Sequence, residues 1–365
     1  MASHLLKKGW IWGMFIAIGI VIAIVGSTLG SSALVATATT QPSYKVEDLG
    51  TLGGIYSYAY GINKTGQVVG NSSISTSSYV SHPVLWDKGK KIDLGTLGGE
   101  YSSALAINNA GKVVGMSQTS SGASHAVLWE KGKQIDLGTL GGKHSSAYAI
   151  NNAGQVVGDS YISTSSDVGH AVLWDKGKKI DLGTLGGEHS LAYAINNAGK
   201  VVGSSSTSSN ERHATLWEKG KQIDLGTLGG IASVAHDINN AGKVVGDSYI
   251  STSSNVQHAV LWEKGKIIDL GTLDGKEYSQ ALAINNAGKV VGKSYPSPPP
   301  FGWVISGNSY AVLWNNNSIK DLNNLIPSNS GWKLEVARSI NDKGQIVGEG
   351  EINRERHAFL LTPVK

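Results

Sequence analysis

A phrase that returns on a fixed period sets what this chain can fold into. Asp-Leu-Gly begins at Asp48, Asp93, Asp136, Asp181, Asp224 and Asp269 and returns as Asp-Leu-Asn at Asp321, at intervals of 45, 43, 45, 43, 45 and 52 residues. Each unit reads like Ser146–Ser160 (SAYAINNAGQVVGDS), a Ser-rich loop, then His170–Gly183 (HAVLWDKGKKIDLG) and the connector Thr-Leu-Gly-Gly. That is four short apolar runs per unit. Asn-Ala-Gly and Lys-Gly sit between paired runs, where Gly and Asn accept the positive φ of a tight hairpin return. No window holds helical periodicity, and β-branched and aromatic residues fill the runs, so the spacing predicts four antiparallel strands per unit.

A period near 40 to 45 residues with four strands is the size of a propeller blade. The ends of the repeat array distinguish a propeller from an open stack. The first recognisable element, Tyr44–Gly50, is a lone fourth strand; the last, Ala337–Leu361, has a first, second and third strand and no fourth. The fragments complete one blade, and closing a ring with them removes a free sheet edge. The sequence therefore predicts an all-β fold, a seven-bladed β-propeller of four-stranded antiparallel blades, with the N-terminal strand completing the last blade.

Composition narrows the rest. With no Cys among 365 residues, neither disulfides nor thiolate chemistry contributes. A formal charge of +4 is too small to indicate nucleic acid. Lys7 and Lys8 precede an apolar stretch centred on Trp10–Val25, and Ala36-Thr37-Ala38 has the small-x-small spacing of a signal-peptidase site. Residues 1–38 thus read as a cleaved signal peptide or a retained membrane anchor, 39–43 as a linker and 44–365 as the propeller. Both readings place the repeats across a membrane, extracellular or in the cell envelope. The membrane is contacted only through the N-terminal segment, if uncleaved.

Repeated residues read mainly as structure. Trp86, Trp129, Trp174, Trp217, Trp262 and Trp314 recur once per unit, with Leu361 in the composite blade, as fillers between neighbouring sheets. Ala104, Ala106, Ala147 and Ala149 suit a crowded axis. His82, His125, His170, His213, His258 and His357 open the third strands. Equivalent His in adjacent blades stand too far apart to share an ion, which excludes a metal site built from them; each is expected to tie its strand to a neighbouring loop. The Asp of Asp-Leu-Gly is expected to accept N–H groups of the turn that follows. No cofactor motif is present.

The units DLGTLGG, INNAGxVVG and HAVLW, with His357-Ala358-Phe359 at the end, resemble the HAF-repeat family of exported proteins, from about Tyr44 to Leu361. The resemblance implies an extracellular or envelope location in a microbe and supplies no activity or catalytic residue.

Function then falls to surfaces. Fourth-to-first and second-to-third connections share one face, here the upper; first-to-second and third-to-fourth turns share the lower. On the upper face, Tyr56, Tyr101, His144, His189 and Tyr278 each precede a Ser, with Ala232 the exception. Such side chains either ring the channel mouth as a ligand surface or pack on their own Gly-Gly turns. The sixth second-to-third loop, Tyr295–Ser309, carries a Pro run displaying Phe301 and Trp303. The lower face bears a ring of Lys interleaved with acids, a solubilising rim or a weak attractor of anionic polymers and headgroups. Asp237, Asp274, Arg338, Glu349 and Glu351 depart from the repeat. The expectation is a monomeric, non-catalytic propeller that binds protein or glycan, for adhesion, envelope organisation or scaffolding; the alternative is a polysaccharide hydrolase or lyase with its site at the channel mouth.

Overall fold

The computed structural model describes residues 43–77, 80–296, 308–316 and 318–364, all within the compact unit Gln41–Lys365. These residues form a repeated all-β architecture of four-stranded antiparallel sheets, consistent with a β-propeller. In all but the sheet that takes in the N-terminal strand, each four-strand run follows chain order: Ser145–Ile150, Val156–Tyr161, Gly169–Asp175 and Lys178–Asp181 make one complete sheet. Six hydrogen-bonded sheets are present among the described residues, one of them eight-stranded. That one consists of two four-strand runs joined by a single parallel pair, Ser81 with Tyr101. Tyr44–Asp48 pairs antiparallel with Glu355–Pro363, in a register running from Tyr44 opposite Pro363 to Asp48 opposite Phe359.

Two local features differ from the sequence expectation. In the second and fourth units the connector glycines join the first strand, which begins at Gly98 and Gly186, because Gly98 and Gly186 pair with Thr119 and Thr207. After Asp321 the chain makes a 3-10 turn, Leu322–Leu325, whose first free N–H, that of Asn323, donates to Asp321 Oδ1 at 2.9 Å.

The core lies between successive sheets. Trp129, 4% exposed, packs with Val113 and Val127 of its own unit and with Val69, Leu85 and Leu94 of the unit before. At about 200 Å² buried and ~25 cal/mol/Å², each such Trp contributes on the order of 5 kcal/mol. Leu361 holds the Trp register opposite Ile346, and its smaller volume is supplemented by Phe359 with Trp332 edge-on at 6.0 Å. Within each sheet the first strand carries a bulge opposite a second-strand Gly, as between Ala147 and Ala149. A Cβ on Gly158 would stand 1.8 Å from the Ser146 carbonyl oxygen, so only Gly fits there. Serines staple neighbours: Ser145 Oγ donates to Gly138 O at 2.9 Å and accepts the Ala126 N–H of the preceding unit at 2.9 Å.

Candidate functional site

The repeated polar residues come first, because their partners remove them from the list of free groups. His82 Nδ1 lies 2.7 Å from Asp93 Oδ2, and the same pair recurs at His125–Asp136, His170–Asp181, His213–Asp224 and His258–Asp269. The His therefore ties the third strand to the fourth strand of its own sheet, rather than to a neighbouring loop, because the Asp of Asp-Leu-Gly stands one strand away. The second Asp oxygen accepts the following Gly N–H, as Gly95 to Asp93 Oδ1 at 2.8 Å. Among the described residues no group of three potential ligands is placed to hold a metal ion.

The lower turns are joined in a cycle. Asn63 Nδ2 donates to Asn108 O, Asn108 to Asn151 O, Asn151 to Asn196 O, Asn196 to Asn239 O, Asn239 to Asn285 O, Asn285 to Asn341 O, and Asn341 to Asn63 O, all within 3.0–3.2 Å. Each of these side chains also accepts N–H groups of its own turn, as Asn151 Oδ1 does from Ala153 and Gln155. The turns and the isoleucines before them line a cavity of about 200 Å³. The sequence presented these Asn only as turn formers; their constancy at the same place in every unit was the available signal.

Where the units differ is more informative. The first strand repeats Ser-x-Ala-x-Ala, with the first Ala (Ala59, Ala104, Ala147, Ala192) fully buried against a neighbouring sheet. Alternation turns the intervening positions to the other side. There stand Tyr58 and Tyr60, then Leu105, Tyr148, Tyr193, His236, Leu282 and Arg338, most of them half-buried. Asn71 pairs with Tyr58, and Met116, Asp159, Ser204, Asp247, Lys293 and Glu349 of the second strands pair with the first-strand residues two positions before Leu105, Tyr148, Tyr193, His236, Leu282 and Arg338. Rings from successive units meet: Tyr148 and Tyr193 at 5.4 Å, Tyr193 and His236 at 5.7 Å, with the Arg338 guanidinium 5.4 Å over Tyr60. Tyr56, Tyr58 and Tyr60 form a ladder at 5.8 and 6.4 Å.

Charge on this lining is paired and partly desolvated. Arg338 grips Glu349 through Nε, at 3.0 and 2.8 Å, and Nη2, at 2.6 Å, and Glu349 is 1% exposed. Burial works against the Arg338 charge, but Glu349 more than restores it and holds its pKa above the usual value. His236 Nε2 lies 2.6 Å from Asp247 Oδ1, and Arg212 donates to Tyr193 Oη at 2.8 Å. Burial, with Arg338 nearby, lowers the Lys293 ammonium. Burial raises Tyr60, Tyr148 and Asp159. Two buried acceptors, Asn71 Oδ1 and Asp159 Oδ1, have no donor among the described residues. Aromatic faces beside anchored donors and unpartnered acceptors are chemistry for binding polar, ring-bearing ligands. Glu349, with both oxygens held by one guanidinium, is committed to Arg338; Glu351 is exposed.

The residues singled out from sequence fall in different settings. Tyr56 begins the Tyr ladder. Tyr101 is 46% exposed. His144 Nδ1 accepts the Ser124 N–H at 3.1 Å and its ring meets Tyr161 edge-on, while His189 Nδ1 accepts the Gly169 N–H at 3.4 Å. Tyr278, 8% exposed, stacks on Tyr295 at 5.3 Å. No ring contact among the described residues joins any two of these five. Phe301 and Trp303 lie outside the described residues, as does the N-terminal segment. Tyr60, Tyr148, Tyr193 and His236 were not singled out; their signal was variation at the position after the first Ala, in a strand whose first Ala and closing Ile recur.

No protein-family model and no curated protein matches the chain. Solved structures similar to it include TolB from Acinetobacter baumannii, at 11% identity over 78% of this chain and 76% of that one, with a TM-score of 0.42. An acylaminoacyl peptidase from Pyrococcus horikoshii aligns at 11% identity and TM-score 0.49; the match covers 81% of this chain and 49% of that one. A TolB from Agrobacterium tumefaciens aligns at 11% identity and TM-score 0.44, over 89% of this chain and 99% of that one.

Proposed function

We propose that this chain is an exported, monomeric and non-catalytic binding protein, a seven-bladed β-propeller of the HAF-repeat type that captures a protein or glycan ligand at its upper channel mouth. The seven-blade reading is supported by taking the eight-stranded sheet as two blades bridged by one residue pair, and by the seven Asn hydrogen bonds that return to their start. Strand Tyr44–Asp48 supplies the missing fourth strand of the last blade.

The observation that carries the binding role is the arc Tyr148–Tyr193–His236, with Tyr60 under Arg338, on a lining that varies from unit to unit. Ring faces take the C–H surface of a sugar or a peptide side chain, and Arg212, Arg338 and Asp159 offer hydrogen bonds around it. The test uses the fold's own alternatives: Leu stands at the equivalent place in two units, Leu105 and Leu282. The full chain carrying Tyr60→Leu, Tyr148→Leu and Tyr193→Leu is compared with the parent on glycan and peptide arrays. Capture is expected to fall at least about tenfold with little change in melting temperature, since burial is kept. Unchanged capture, or turnover of a polysaccharide that a single carboxylate substitution abolishes, overturns the proposal.

A further inference from the structure

The strongest charge on the molecule lies away from that lining, on the lower face. Ten lysines sit in the third-to-fourth hairpins, among them Lys88, Lys131, Lys133, Lys219 and Lys221. Six more lie in the first-to-second turns, against six acids on the same face. Side-chain contacts show that turns and hairpins share this face: Lys112–Glu130, Lys200–Glu218 and Lys243–Glu263 each span 3.2 Å. Asp87 and Asp175 accept in the same way from Gln67 and Gln155, both at 3.1 Å. The five hairpin acids are thus engaged by the turns, and among the described residues the ten hairpin lysines have no carboxylate partner. Sixteen lysines against six acids leave +10 on this face. The whole chain carries +4, of which Lys7 and Lys8 supply two, so everything else in the repeats sums to −8.

Backbone geometry argues that these lysines are not incidental. Lys88, Lys131, Lys176, Lys219 and Lys264 occupy the left-handed region at φ of 50–52°, which Asn and Gly adopt at lower steric cost. The corresponding position of the sixth unit is Asn316, at φ of 49°. A residue that tolerates the conformation better is available, yet five hairpins carry a cation. The chain also enters the sheets at this face: Tyr44 pairs with Pro363, whose ring is the nearest contact of a Cβ on Gly344 in a first-to-second turn. The sequence preceding that entry carries the apolar stretch Trp10–Val25.

We infer that the lower face docks on an anionic phospholipid surface through the hairpin lysines, leaving the opposite face free for the ligand proposed above. Clustered lysines without carboxylate partners are attracted by anionic headgroups within a Debye length. The inference does not depend on what the upper mouth binds. The test reconstitutes the full chain into vesicles of phosphatidylcholine alone, or of phosphatidylcholine mixed with phosphatidylglycerol, and measures amine-reactive labelling of each lysine by mass spectrometry. Labelling of Lys131, Lys133, Lys219 and Lys221 is expected to drop at least about threefold on the anionic vesicles and to recover in high salt. Lys143 and Lys276, in fourth-to-first connections, serve as controls and stay unchanged. Equal labelling on both vesicles, or equal protection of Lys143 and Lys276, overturns the inference. So does protection that requires added polyphosphate on neutral vesicles and is absent with phosphatidylglycerol, which assigns the face to a soluble polyanion.

Discussion

Asn151 offers a quantitative test of how the sheets are held together. Its side chain makes four hydrogen bonds: Nδ2 donates to Gln155 Oε1 at 2.8 Å and to Asn196 O at 3.2 Å, and Oδ1 accepts from Ala153 and Gln155 N–H at 3.1 and 3.0 Å. The residue is 4% exposed, so water does not replace these partners freely. At a net ~1 kcal/mol per bond, Asn151→Ala is expected to cost about 4 kcal/mol, a fall in melting temperature of roughly 5 °C or more. Asn151→Asp separates the turn from the link between sheets, because it keeps the acceptor oxygen and removes the donor. At pH 7 it sets a carboxylate against the Asn196 carbonyl, so its folded pKa is raised. A raised acid makes stability fall as pH rises, and the variant should recover about 1 kcal/mol or more near pH 4, where the protonated carboxyl donates to Asn196 O. Thermal unfolding of the three proteins across pH 4–8 reads this directly. An Asn151→Ala penalty under about 0.5 kcal/mol, or an Asn151→Asp variant indifferent to pH, refutes the reasoning.

Other substitutions have equally definite outcomes. Asp237 stands where four other units have Ala, accepts the Ile238 and Ile284 N–H groups at 2.8 Å each, and is raised to about 6 by burial, against those bonds. Its ionisation opposes folding above about pH 4, so Asp237→Ala should stabilise the protein at pH 7 by about 2 kcal/mol and far less at pH 4; equal effects at both pH values would show the carboxylate is not strained. Gly158→Ala drives a Cβ into the Ser146 carbonyl and should cost about 3 kcal/mol or abolish expression, whereas Gly177→Ala, with open space around it, pays only the strain of its φ of 78°. His357 and Asp48 clasp the terminal strands at 2.9 Å. The hydrogen bond to Asp48 raises His357 despite burial. Burial opposes the Asp48 charge, while His357 and the Gly50 N–H hold its carboxyl below the usual range. The His contribution is full below pH 6.5 and is lost as pH rises through the raised folded pKa; the Asp contribution is lost as pH falls through its lowered one. Amide-exchange protection of Lys45–Glu47 should therefore decline from pH 6 to 9, and a flat profile would remove the clasp.

The fold was legible because it is written several times over. Hairpin residues, Trp fillers and the interrupted unit at each end gave strand count, order and pairing, and the pairing of Tyr44–Asp48 with Glu355–Pro363 follows that pattern. The site was less legible for a physical reason. Repetition draws attention to what recurs, and what recurs is here engaged in holding sheets together: His82 by Asp93, Ser145 by Ala126, His144 by Ser124. Groups free to meet a ligand occupy positions that vary. Identifying them required the register, because the bulge between Ala147 and Ala149 leaves Tyr148 with no second-strand partner. Arg338 and Glu349 did stand out as departures from the repeat, but only the side-chain contacts revealed that each occupies the other's field.

Closure is the claim on which the two faces depend, and the absence of Cys makes it directly measurable. Lys45 lies opposite Thr362 across the terminal pair of strands. In the double variant Lys45→Cys with Thr362→Cys, mild oxidation should form the disulfide nearly completely, because antiparallel partners stand about 4.5–5.5 Å apart at Cα. The offset pair Lys45→Cys with Val364→Cys should cross-link only slowly. Equal and low cross-linking of both pairs would contradict the account.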